Sequence, residues 1–203
     1  MLPRGALAAN PALITGADVC MLVPETTEGP FYFDPALVRR DITEGRPGLP
    51  TTLRLQVVDR ECRPIPQARV DVWHTDAMGA YSGSDNAAGA ARETFMRGTQ
   101  VTGADGVAEF QTVYPGWYGG RTTHIHFKVI LDQSREMTGQ IFFPDEVSDR
   151  VYTSVEPYKQ RGADRDRTNA NDGIARQAGS AAIATVEEVP DAYVAALVIG
   201  TAA

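Results

Sequence analysis

Apolar and polar residues alternate along this chain in short runs, and almost nowhere recur at helical spacing. TLRLQVVD (52–59) sets Leu53, Leu55 and Val57 against polar neighbours. ARVDVWH (68–74) repeats the alternation, with Val70, Val72 and His74 on one face and Arg69, Asp71 and Trp73 on the other. A strand turns successive side chains to opposite faces, so this period predicts strands that bury one face. Further strands are predicted at THIHFKVI (123–130), GQIFF (139–143), AAIATVEEV (181–189) and AYVAALVIG (192–200). GTQVT (98–102) and VAEFQTV (107–113) flank GADG, which reads as a hairpin turn.

The rest of the pattern is connection. RECRPIP (60–66) is a turn, and PDEVSDRVY (144–152) reads as a short helix with Asp145 and Glu146 at its start. A helical turn is expected at Asp34–Val38, capped by Asp34 with Pro35 in the first turn. Residues 159–180 are polar and read as one long loop, with DRDR (164–167) in solvent. Residues 1–30 read as an irregular arm, and TTEGPFYFDP (26–35), which overlaps its end and is dense in turn formers and aromatics, packs over something. About eight short strands without a long amphipathic helix predict an all-β, two-sheet β-sandwich with long loops and few short helices. The 203 residues suffice for one core, so residues 1–203 are expected to form a single domain.

Composition narrows the function. A net charge of −7 with scattered arginines argues against nucleic acid, whose phosphates need clustered cations. No apolar run approaches a transmembrane segment. The opening MLPRGALAANPALITGADVC is a poor export signal, interrupted by Pro3 and Pro11. Spacing alone leaves Cys20 and Cys62 equally compatible with a disulfide and with two buried thiols.

The chemistry gathers at YPGWYGGRTTHIHFKVI (114–130), which holds two of the three histidines. His124 and His126 are i and i+2 on a strand, so their imidazoles share a face and can share a metal. The remaining ligands are open among His74, acidic residues and tyrosines. With His74 the set would be a zinc hydratase or hydrolase site using His74, His124 and His126. With Tyr81 and Tyr118 the cation must hold two phenolates, whose pKa is about 10 in water, and hard oxygen anions suit Fe(III). Two phenolates and a hydroxide would neutralise ferric iron, letting the site sit inside an apolar sandwich. A cupin would need a glutamate soon after the pair, and HIHFKVILDQ has none.

Four segments in order then carry a resemblance: ETTEGPFYF (25–33), PIPQARVDVWHTDAMGAYSG (64–83), ADGVAEFQTVYPGWYGGRTTHIHFKV (104–129) and TGQIFFPDE (138–146). Over roughly residues 20–160 the chain resembles the intradiol ring-cleavage dioxygenases, the family of catechol 1,2-dioxygenase and protocatechuate 3,4-dioxygenase. The resemblance implies one non-haem Fe(III) per chain, ligated by Tyr81, Tyr118, His124 and His126. It implies catalytic roles for Tyr118 as a base, Arg121 beside the bound ring and Gln140 in the pocket. The substrates would be an aromatic diol and O2, and the product a cis,cis-muconate-type diacid. Tyr114 fits a framework role, and His74 matches no ligand. The short GGRTT link after Tyr118 leaves the preferred catechol unspecified. The chain is similar to compact, extracytoplasmic members, which implies a Cys20–Cys62 disulfide and a secreted protein if an export signal is removed, otherwise a cytoplasmic one. It leaves a homo-oligomer open. A non-catalytic sandwich that only binds ligands is the alternative of a different class.

Overall fold

A computed structural model of the protein describes residues 13–16, 20–34, 36–84, 90–162 and 164–202. Most of the segment read as a poor export signal therefore lies outside the described residues. Among the described residues, eight strands form two four-stranded sheets, as the alternation predicts. The first has β1 (Pro50–Val58), β4 (Val107–Val113), β7 (Thr185–Val189) and β8 (Ala192–Gly200) in the order β4-β1-β8-β7. The second has β2 (Arg69–Trp73), β3 (Arg97–Val101), β5 (His124–Ile130) and β6 (Glu136–Phe142) in the order β3-β2-β5-β6. Neighbours are antiparallel except β1 and β8, which run parallel. Leu53, Leu55, Phe110, Leu197 and Ile199 from the first sheet meet Val70, Val72, Ile125, Phe127 and Ile141 from the second in one apolar core.

GADG is not a hairpin turn. β3 pairs with β2 and β4 pairs with β1, so the turn carries the chain from one sheet to the other. Gly106 has φ +73°, and a Cβ there would stand 2.6 Å from the Val57 carbonyl oxygen, so glycine lets the turn pass the end of β1. The helical turn expected at Asp34–Val38 is also absent among the described residues; Pro35 lies outside them. Asp34 Oδ1 instead accepts from Ala36 N at 2.7 Å, Ala36 takes φ 54°, and Val38 bridges Thr99. A left-handed residue so close to the start prevents a helical turn from propagating.

PDEVSDRVY forms helix α1 (Asp145–Ser154), with Asp145 and Glu146 in its first turn. The stretch read as one long loop contains helix α2 (Gly173–Ala178), whose N-cap is Asp172. Nor is DRDR simply solvated: the Arg165 side chain is 2% exposed and reaches Asp145 at 2.8 Å and Asp149 at 2.9 Å. Its two carboxylate partners on α1 make that burial affordable to a cation.

The irregular arm packs as its composition implies. Cys20 is disulfide-bonded to Cys62 in the turn after β1. Val23 N donates to Gly200 O at 3.1 Å, and Thr26 N donates to Thr138 O at 3.0 Å. The chain then crosses the second sheet on the face turned away from the core. There Tyr32 lies 4.7 Å from Trp73 between ring centroids, and its hydroxyl donates to Asp71 at 3.0 Å.

Candidate metal centre

Strand parity decides where the histidines go. Ile125, Phe127 and Val129 of β5 enter the core, so His124, His126 and Lys128 face the opposite way. In register, His126 stands between Trp73 of β2 and Gln140 of β6. The group therefore lies outside the core between the two sheets, although charge neutrality would let such a site tolerate burial inside the sandwich. It lies on the outer face of the second sheet and is buried by the arm. Phe31 stacks on Tyr81 with centroids 4.4 Å apart, and a Cβ on Gly29 would touch the His126 ring at 3.4 Å. Trp73 stacks on the His126 imidazole at 4.9 Å and 12°. His126 Nδ1 makes no hydrogen bond to the described residues.

Two loops bring the tyrosines to this face. After β2, Asp76 Oδ1 accepts from Met78 N at 2.9 Å and Ala80 N at 3.0 Å, folding a tight turn that returns the chain at Tyr81. The second loop, between β4 and β5, lies against it: Gly116 N donates to Asp76 O at 2.9 Å. A Cβ on Gly79 would stand 2.2 Å from Trp117 O, and one on Gly116 2.4 Å from Ala77 O. These two glycines let the backbones touch, which sets Tyr81 and Tyr118 side by side. Arg97, missed in the sequence reading, secures the first loop. It is fully buried and donates through Nε to Ser82 Oγ at 2.8 Å and through Nη2 to Ser82 O at 2.7 Å. Phe33 of the arm lies 4.2 Å over its guanidinium.

The four side chains converge on one point. His124 Nε2 stands 3.2 Å from His126 Nε2, 3.3 Å from Tyr118 Oη and 3.4 Å from Tyr81 Oη. Donors sharing one first-row metal ion stand roughly 3–3.5 Å apart, because each bond is roughly 2 Å long. His124 Nδ1 donates to Thr122 O at 2.7 Å, which leaves the Nε2 lone pair directed at the group. The set fits a cation, and two phenol oxygens among four donors fit a hard one. Burial pushes the His124 imidazolium down to about 3, helped by the Arg121 charge, and holds His126 well below its ordinary value. Both rings are thus neutral at neutral pH. Burial also raises the Tyr81 phenol well above its ordinary value, with Tyr118 adding to the effect; burial raises Tyr118 as well. Only a cation among these oxygens would favour their phenolates.

Arg121 and Gln140 sit at the edge of the group. Arg121 Nη1 is 3.3 Å from His124 Nε2, and Nη2 donates to Gln140 Oε1 at 2.5 Å. Gln140 is fully buried and donates through Nε2 to Thr27 O of the arm at 3.0 Å. Tyr118 and Arg121 are the partly exposed members, so the group opens to solvent on their side. Asp172, also missed in the sequence reading, holds Arg121 Nε at 2.9 Å. Although its burial acts upward, bonds from Ala175 N, Thr122 N and Arg121 keep its carboxyl below the ordinary value.

His74 does not join the group. It keeps the inward parity of Val70 and Val72, and both ring nitrogens bond elsewhere: Nδ1 to Thr75 O and Nε2 to Thr112 Oγ1, each at 2.7 Å. Among the described residues, no three His, Cys, Asp or Glu side chains come together as a metal site. A three-histidine zinc site thus lacks its third ligand. Tyr114 is buried beyond the site, where its hydroxyl meets Ser148 Oγ at 2.8 Å.

A family profile described as "Dioxygenase" matches residues 27–161. Catechol 1,2-dioxygenase 1 of Acinetobacter lwoffii is 32% identical over 140 residues, covering 58% of this chain and 45% of that protein. The chain thus matches under half the length of this curated relative. An intradiol ring-cleavage dioxygenase from Tetranychus urticae is 33% identical and superposes with a TM-score of 0.81, over 89% of this chain and 94% of that one. The dioxygenase domain of a carbohydrate-binding fusion protein from Streptomyces sp. SirexAA-E is 27% identical, with a TM-score of 0.68 over 89% and 97% of the two chains. With the profile spanning more than half of its length, the chain belongs to the intradiol ring-cleavage dioxygenase family.

Proposed function

We propose that this protein cleaves aromatic diols between their two hydroxylated carbons, using dioxygen and one non-haem Fe(III) per chain. The observation that carries the reading is the convergence of Tyr81 Oη, Tyr118 Oη and His126 Nε2, each 3.2–3.4 Å from His124 Nε2. These four would hold the ion, which when bound supplies the Lewis acidity that makes the diol ring reactive toward dioxygen. The chain's own residues do the rest. Tyr118, on the open side, accepts a diol proton at Oη as the substrate enters. Arg121 presents Nη1 toward the group and stabilises negative charge building on the ring. Gln140 orients Arg121 and ties it to the arm. Phe31 and Trp73 cover Tyr81 and His126 and exclude water from the ligands. Both oxygen atoms enter the product, a cis,cis-muconate-type diacid, and no external reductant is consumed. The same reading treats residues 1–203 as one domain with its arm at 1–30.

Metal analysis of the purified protein tests this. About one iron per chain is expected, because one such four-donor group is found among the described residues. The protein should be wine-red from tyrosinate-to-iron charge transfer, and Tyr81→Phe or Tyr118→Phe should shift or abolish the colour. Catechol with oxygen should give the ring-opened diacid. Zinc in place of iron, or a yellow semialdehyde product, would overturn the reading.

A further inference from the structure

The Arg121 guanidinium is gripped at two edges. Nε donates to Asp172 Oδ2 at 2.9 Å and Nη2 donates to Gln140 Oε1 at 2.5 Å, while Nη1 faces His124 Nε2 at 3.3 Å. A guanidinium is a rigid planar fork, so fixing two edges aims the third. Asp172 divides its carboxylate between two tasks. Oδ1 caps α2, accepting from Ile174 N at 2.8 Å and Ala175 N at 3.0 Å. Oδ2 leaves the helix and accepts from Thr122 N and Arg121 Nε, both at 2.9 Å. Thr122 in turn offers its carbonyl to His124 Nδ1 at 2.7 Å. The side chain is 1% exposed, so these bonds form out of competition with water. A helix cap needs only one carboxylate oxygen. The second serves the turn that leads into the histidine strand.

The geometry points to Asp172 as a positioning residue, which aims the Arg121 guanidinium at the bound diol. This rests on the role given to Arg121 in the proposed reaction. Asp172 itself touches neither the ligand group nor the substrate; it acts through Arg121.

Asp172→Ser keeps an N-cap acceptor and removes the oxygen that holds Arg121. Asp172→Asn serves as the second variant, since it keeps the side-chain size and an oxygen for the cap but not two accepting oxygens. Iron content and resting colour should stay as in the unaltered protein. In the metal-free protein, nitrogen NMR should show the Arg121 Nε–H protected from exchange, and either variant should lose that protection. Turnover should fall about 10- to 100-fold, the scale of a misaimed group near the reacting atoms, with KM little changed. Combined with Arg121→Ala, the Asp172 variant should be no slower than Arg121→Ala alone, because both changes remove one interaction. Unchanged turnover, an unchanged Nε–H signal, or effects that multiply in the double variant would reduce Asp172 to a helix cap. An unaltered protein without iron or colour would instead defeat the ferric reading, and this proposal with it.

Discussion

The two faces of strand β5 are buried to nearly the same degree by opposite means. On the inner face Ile125, Phe127 and Val129 pack against the other sheet, and Gly139 gives the Phe127 ring room to lie flat on the neighbouring strand. On the outer face His124, His126 and Lys128 are buried under the arm, each beside polar or aromatic groups: Thr122 and Arg121, Trp73, and Glu28 with Tyr32. Apolar burial is non-directional and gains with area, so the inner face carries stability. Buried polar groups demand particular partners at particular angles, so the outer face carries specificity and leaves a binding group poised.

Substitutions on the two faces should separate these contributions. Phe127→Ala on the inner face should have the largest effect, about 3–5 kcal/mol of lost stability by denaturant unfolding. Gly83→Ala strikes the arm from below. Gly83 has φ +66°, and a Cβ there would stand 2.0 Å from the Phe33 ring. A loss of about 1–3 kcal/mol is expected from strain, together with a faster limited proteolysis of the arm. His74 tests the inner face by pH. Burial drops its pKa to about 4, against 6.5 for the free side chain. Its folded pKa is depressed, so the unfolded chain binds the proton first. Stability should therefore be full above pH 6.5 and fall between 6.5 and 4, by at most about 1.4 kcal/mol per pH unit for this one proton. A melting temperature that rose on acidification over that range would contradict the assignment. Lys128→Met should have the smallest effect, within about 1 kcal/mol, since an apolar residue of similar length replaces a buried charge and leaves Glu28 to solvent.

Much of this is legible in the sequence. Period-2 patterning gave the strand positions, and parity put His124 and His126 on one face. What stayed hidden was which face lay outward, because the apolar cover there comes from a distant arm rather than from a sheet. The GADG turn misled because tight glycine turns serve hairpins and sheet-to-sheet crossings alike; pairing partners far along the chain decide between them. Asp172 was lost in a polar stretch, since a six-residue helix offers too few turns for an amphipathic pattern. Arg165 read as a solvated charge and Arg97 went unremarked because burial of a guanidinium depends on partners brought in from elsewhere.

The bond between Cys20 and Cys62 encloses the whole covering segment within one covalent loop. Arg40, its side chain 61% exposed, lies inside that loop. If a trypsin-like protease severs the backbone there, the two pieces do not part: they migrate as one species until a thiol is added, and the aromatic cover keeps its attachment to the body it shields.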